Sequence, residues 1–216
     1  MQVDLIGPAG RLEALFEPPE GTADVPAPGA PRFAAVVCHP HPLFGGTLHN
    51  HATYRLAKAV RARGGASLRF NFRGVGRSQG AHDEGRGEGD DARAALAWLG
   101  TRLPGVPILA CGFSFGAYVA AQAGCRDAAV RGLLLAGLAS RSFQLEFLRG
   151  CEKPIAAIQA ALDEFGGVDE VRLLLSGSAF PRRLEVLEGA THLFAEDLGG
   201  LQRLAESGLS WLMERV

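Results

Sequence analysis

Val106-Pro107-Ile108-Leu109-Ala110-Cys111-Gly112-Phe113-Ser114-Phe115-Gly116-Ala117-Tyr118-Val119-Ala120-Ala121-Gln122-Ala123 is an apolar run, a Gly-x-Ser-x-Gly pentapeptide and a small-residue run in succession. Strand, sharp turn and helix are the expected elements, and in that setting the pentapeptide reads as a nucleophile elbow. By itself it would read equally well as a Gly/Ser turn. The tight turn lifts Ser114 Oγ to the head of a helix, and Gly112 and Gly116 relieve the crowding such a turn creates. The N–H of Phe115 then lies at the helix N-terminus, aimed where an oxyanion would form.

Around this stretch, strand-like and helix-like runs alternate. Val3 to Ile6 and Leu12 to Phe16 flank Gly7-Pro8-Ala9-Gly10 and predict a hairpin. Strands are expected at 33–38, 66–72, 106–111, 133–138, 155–159 and 183–187. Helices are expected at 50–63, 88–103, 117–124, 169–176 and 198–214. Several strands are apolar throughout, which predicts a mostly parallel sheet covered by helices on both faces. Residues 18–31, rich in Pro, Gly and Ala, read as a surface connection. With 216 residues and 47% apolar composition, residues 1–216 are expected to form one domain.

The formal net charge of −1 argues against a nucleic-acid partner. No apolar run approaches the length of a membrane span, and the first residues lack the pattern of a secretory signal. The four cysteines have no C-x-x-C spacing. Cys38 and Cys111 fall in strand-like runs and read as buried free thiols, so a cytoplasmic protein without disulfides is expected.

A serine nucleophile needs a base and an acid that orients the base. His192 is the one histidine downstream of Ser114, just past the expected strand at 183–187. The acid is sought after the strand at 155–159. Asp163 is the nearest candidate, with Glu164 and Asp169 as alternatives.

Three further stretches, together with the elbow, carry a resemblance. They are Val37-Cys38-His39-Pro40-His41-Pro42-Leu43-Phe44-Gly45-Gly46-Thr47-Leu48-His49-Asn50, Leu68-Arg69-Phe70-Asn71-Phe72-Arg73-Gly74-Val75-Gly76-Arg77-Ser78, Gly87-Glu88-Gly89-Asp90-Asp91 and Ala110 to Ala117. Together they resemble the small, lidless bacterial serine hydrolases of the α/β-hydrolase superfamily, related to dienelactone hydrolases, from about residue 33 to the C-terminus. The resemblance implies an α/β-hydrolase fold and an esterase-type activity with the triad Ser114, Asp163 and His192. Two positions depart from the family pattern: Ala160 stands where a glycine is usual, and Thr191 where an acidic residue often precedes the histidine.

The second oxyanion donor is expected from the loop after the strand at 33–38. Pro40 and Pro42 have no N–H. His41 is the candidate nearest the strand end, and Leu43 is the fallback. The pairs His39/His41 and His49/His51 could suggest metal ligands, but the adjoining prolines restrict convergence and no nearby Cys, Asp or Glu completes a site, so no metal is expected. His39 is expected to brace the loop, and Arg73 to tie neighbouring loops together. The Gly-rich stretch from Arg73 to Ser78 lacks the endings of phosphate-binding motifs.

Residues 139–150, between the strands at 133–138 and 155–159, are too few for a cap domain. Phe143, Leu145, Phe147 and Leu148 could line an acyl pocket or pack on the core. The expected function is carboxylesterase action on small short-acyl esters, without a cofactor. Thioesterase, lactonase or deacetylase action by the same mechanism, or a non-catalytic binding role on the same fold, are the alternatives.

Overall fold

The structure, a computed structural model, describes residues 1–21 and 31–216; the surface connection expected at 18–31 falls largely outside the described residues. The elements in chain order are β1 (Gln2–Gly7), β2 (Gly10–Glu17), β3 (Phe33–Cys38), α1 (His51–Ala62), β4 (Gly65–Phe70), α2 (Arg86–Arg102), β5 (Ile108–Phe113), α3 (Phe115–Arg126), β6 (Val130–Ala136), β7 (Ile155–Ala160), α4 (Val168–Leu175), β8 (Arg182–Leu187) and α5 (Leu198–Met213). Short 3₁₀ turns occupy Pro42–Phe44 and Glu146–Gly150.

The eight strands among the described residues form one sheet in the order β1-β2-β4-β3-β5-β6-β7-β8. β1 and β2 make the antiparallel hairpin, β2 joins β4 antiparallel, and every later pairing is parallel. The uniformly apolar sequences of β3 and β5 follow from their place at the centre, where both faces are covered and every residue is buried. β8, at the edge, is half-buried throughout.

Two apolar cores lie on the two faces. One packs α2, α3 and α4 through residues such as Leu96, Val119 and Val171. The other packs α1 and α5 through Leu56, Val60, Leu201 and Leu209. Asn50 caps α1 by accepting the Thr53 N–H at 3.1 Å.

Some boundaries move. β4 stops at Phe70 rather than at residue 72: the Asn71 N–H still reaches the Glu13 carbonyl of β2 at 2.8 Å, but beyond it the chain is held by loops instead of by strands. Asn71 Oδ1 accepts the Leu48 N–H at 2.7 Å, and the Phe72 N–H donates to His39 Nε2 at 3.1 Å. β5 runs on to Phe113, directly against Ser114.

The expectation of a chain without disulfides is corrected. Cys125, in the last turn of α3, is bonded to Cys151, just past the second 3₁₀ turn, with the Cα atoms 5.3 Å apart. Sequence spacing did not reveal the pair because the fold, not the chain, brings the two residues together. Cys38 and Cys111 are buried free thiols, and burial holds both well above the ordinary thiol pKa. Among the described residues no cap domain covers the sheet: the segment after β6 makes only the 3₁₀ turn Glu146–Gly150, with Leu145 and Leu148 buried in the core. No helix among the described residues is long and apolar enough to cross a membrane.

Candidate active site

The carboxyl ends of β3, β5, β7 and β8 converge on one edge of the sheet, where ligands of open parallel sheets bind. β5 delivers Ser114 there in a strained backbone conformation, φ 57° and ψ −122°. The Ser114 N–H is anchored on the Ala136 carbonyl of β6 at 2.9 Å. The flanking glycines make the turn possible. A Cβ at Gly112 would lie 2.1 Å from the Gly116 carbonyl oxygen, and one at Gly116 would lie 2.4 Å from the carbonyl oxygens of both Cys38 and His39. Gly116 thereby lets the loop after β3 pass directly beside the elbow. Phe115 is the first residue of α3, so its N–H has no partner one turn back within the helix.

Ser114 Oγ lies 2.8 Å from His192 Nε2. His192 Nδ1 lies 2.9 and 2.8 Å from the two carboxylate oxygens of Asp163. Asp163 sits on the turn after β7 and His192 on the loop after β8; both are buried. Asp169 does not join this group: it lies in the first turn of α4, pairs with Arg172 and is fully solvated. Glu164 reaches the same loop differently, its carboxylate accepting the His192 N–H at 3.4 Å.

The loop after β8 is held from both sides. Ala190 and Phe194 are fully buried, and Glu196 accepts the N–H of Thr191 at 3.2 Å and its hydroxyl at 2.7 Å. Glu196 thus supplies the carboxylate that the departure at Thr191 leaves out of that position. Gly137, after β6, leaves room for the imidazole, since a Cβ there would lie 3.3 Å from His192 Cε1 and 2.9 Å from the Phe113 ring.

One polar residue escaped the sequence reading. Gln159, in the buried apolar run of β7, donates from Nε2 to Asp163 Oδ2 at 2.8 Å and to the Gly166 carbonyl at 2.7 Å. Its Oε1 accepts the Leu138 N–H at 2.9 Å. The Phe165 N–H donates to Asp163 Oδ1 at 2.9 Å. Asp163 is therefore fixed by two donors besides His192. A glutamine inside an otherwise apolar strand is the signal that could have found it, because a buried amide needs partners.

On the loop after β3, His39 is fully buried. Its Nδ1–H donates to the Pro40 carbonyl at 2.6 Å while Nε2 accepts from Phe72, so the ring is neutral and braces the loop. Burial lowers its pKa to about 4. His41 lines the cleft and packs against Phe115, the ring centres 4.9 Å apart and the planes tilted by 49°. Burial first, and His82 second, hold its pKa below the usual imidazole range. His41 Nδ1 accepts the Leu43 N–H at 3.2 Å. His49 and His51 are exposed at the start of α1. Among the described residues no three His, Cys, Asp or Glu side chains are grouped as metal ligands would be. Arg73 ties its loop to α2, pairing with the buried Asp91 through Nε at 3.0 Å and Nη2 at 2.8 Å.

Ser114 opens into a cleft of about 530 Å³ lined by Pro40, His41, Phe44, Gly46, Asn50, Phe113, Ala139, Ser142, Phe143, Phe165, His192 and Leu193. Of the four residues with two possible roles, Phe143 alone lines it, backed face to face by Tyr118 at 4.9 Å. Leu145, Phe147 and Leu148 pack on the core.

Residues 30–164 match the model of the family described as serine aminopeptidase, S33. The chain belongs to this family. Its relatives include an uncharacterized protein, RP471, of Rickettsia prowazekii, 35% identical in an alignment of 202 residues that covers 89% of this chain and 82% of that protein. An alpha-beta serine hydrolase homologue from Coxiella burnetii superposes with a TM-score of 0.88 at 32% identity over 97% of each chain. XC6422 from Xanthomonas campestris, described as an a/b serine hydrolase without a lid, superposes at 0.87 with 30% identity, covering 98% of this chain and 94% of that one. The hydrolase therefore has the α/β-hydrolase fold in its small, lidless form, with an antiparallel hairpin added to a parallel sheet.

Proposed function

We propose that this protein is a carboxylesterase that cleaves small, neutral esters through Ser114, His192 and Asp163. The observation that carries the reading is the unbroken hydrogen-bonded line from Asp163 through His192 to Ser114 Oγ, opening into the cleft. His192 Nε2 takes the hydroxyl proton as Oγ bonds to the acyl carbon, and Asp163 stabilises the imidazolium that forms. The carbonyl oxygen gains the negative charge and is met by the N–H groups of Phe115 and His41. Leu43 is the weaker donor candidate, because its N–H is directed to the His41 ring. The imidazolium returns its proton to the departing alcohol. Water, deprotonated by the same nitrogen, then releases the acid from Ser114.

The cleft supports esters over peptides. An aminopeptidase must bind an α-ammonium group, which calls for a carboxylate. None of the residues lining this cleft carries a carboxylate, ammonium or guanidinium group. An ammonium group there would lose its hydration without a partner. The test is fluorophosphonate labelling together with p-nitrophenyl acetate turnover. The wild type should label and turn over, while Ser114→Ala should not label and should lose about 10⁴-fold or more in kcat. A labelled Ser114→Ala variant, or one that keeps a tenth of the activity, overturns the assignment.

A further inference from the structure

We infer that the preferred leaving group is an uncharged aromatic alcohol seated against Phe165 and Leu193; this rests on the ester-hydrolase reading above. The nitrogen that takes the Ser114 proton must hand it to the leaving oxygen, so the alcohol part of the ester has to occupy the His192 side of the cleft. On that side the wall is apolar. The Phe165 ring lies 4.8 Å from the imidazole, tilted by 58°, and Leu193 is the next residue after the base.

Both side chains are exposed, Phe165 at 44% and Leu193 at 61%, as is Phe44 at 85% across the cleft on the loop after β3, whereas Phe113 at the end of β5 and Phe194 next to Leu193 are fully buried. Isolated exposed apolar residues are ordinary, but two that line one cleft beside the reacting atoms form a surface that an occupant would cover. A flat ring can lie offset-stacked on Phe165, an arrangement an aliphatic group of the same bulk cannot match. An aromatic ring at that place also faces the imidazolium formed during attack, so part of the gain arises in the transition state.

Charge narrows the class further. No lysine or arginine lines the cleft to pair an anionic alcohol, and just outside it the Glu164 carboxylate at the His192 N–H is matched by the Arg141 guanidinium on the Glu164 carbonyl. A carboxylate on the leaving group would therefore be desolvated without a lasting partner. The net step is conversion of an acyl ester of an arylmethanol and water to the carboxylic acid and the arylmethanol. The acyl carbon bonds to Ser114 Oγ as its bond to the arylmethanol oxygen breaks, and then to a water oxygen as the bond to Oγ breaks; His192 passes the Ser114 proton to the departing oxygen and then a water proton back to Oγ.

The experiment measures kcat/KM by pH-stat for methyl, benzyl, cyclohexylmethyl and 4-carboxybenzyl acetates. Benzyl acetate should exceed cyclohexylmethyl acetate by about fivefold and 4-carboxybenzyl acetate by about tenfold or more. The benzyl-to-cyclohexylmethyl ratio should fall to near one in both Phe165→Ala and Phe165→Leu, whatever their common loss of rate. It should persist in Phe147→Ala, a core substitution away from the cleft. A wild-type ratio near one, or a ratio that survives both Phe165 variants, overturns the inference while leaving esterase action standing. No turnover of any acetate, methyl acetate included, overturns the ester reading and this inference with it.

Discussion

Replacing Gln159 with leucine separates the support of the acid from the acid itself. The amide serves three buried groups: Asp163 Oδ2 at 2.8 Å, the Gly166 carbonyl at 2.7 Å and the Leu138 N–H at 2.9 Å. Leucine fills similar space but leaves the Gly166 carbonyl and the Leu138 N–H unpaired and Asp163 Oδ2 with His192 alone, and each buried group that loses its partner costs about 1 kcal/mol or more. The expected loss of stability is about 3 kcal/mol, which a domain with a typical 5–15 kcal/mol survives. The effect on rate follows from Asp163 alone. It keeps the Phe165 N–H and His192 but loses a hydrogen bond to a charged oxygen, worth about 1.5–3 kcal/mol. The carboxylate is then free to turn away from Nδ1, so kcat should fall about tenfold to a hundredfold. KM should stay within about twofold, because Gln159 does not line the cleft. Steady-state kinetics on p-nitrophenyl acetate and urea midpoints on the same preparations read out both effects. A variant that loses stability but keeps its kcat would show that Gln159 only fills space, and the positioning argument would be refuted.

Three other outcomes are expected. Asp163→Asn should lower kcat by about 10⁴-fold, whereas the solvated Asp169→Asn should stay within about twofold; the opposite ranking in kinetics would reassign the acid. Across p-nitrophenyl esters from acetate to palmitate, activity should peak at acyl chains of roughly two to six carbons, because no cap supplies apolar wall worth about 0.8 kcal/mol per buried methylene; a maximum at palmitate would sink that reasoning. Buried His39 binds its proton near pH 4 when folded but near 6.5 when unfolded, so its contribution is complete above about pH 6.5 and fades, by up to about 3 kcal/mol, as pH falls toward 4. Urea midpoints at pH 7.5 and 4.5 should therefore differ less in His39→Gln than in the wild type, and equal slopes would dismiss His39 as the source.

Much of this architecture was legible because the chain states it locally. Strands with no polar alternation, such as Phe33–Cys38, could only lie inside a sheet covered on both faces. Gly112 and Gly116 marked the turn at Ser114, and a single downstream histidine left His192 without a rival. What was not legible depends on neighbours far apart in sequence. Cys125 and Cys151, 26 residues apart, meet because α3 and the segment after β6 pack on the same face. Gln159 looked like one more strand residue until the turn after β7 folded Asp163 and Gly166 back over it. Phe143 and Phe147 are indistinguishable by composition, and a difference in packing against Tyr118 puts the first ring in the cleft.

The backbone at Ser114 has an evolutionary consequence. Its φ of 57° and ψ of −122° are the mirror image of ordinary extended chain, a conformation that glycine reaches freely and a serine reaches at about 1–3 kcal/mol. Selection for a sturdier chain alone would exchange Ser114 for glycine, and the protein would gain robustness while losing its hydroxyl. On the proposed esterase reading, drift at this position runs downhill toward an inert protein of the same shape, and a continuing demand for the reaction opposes it.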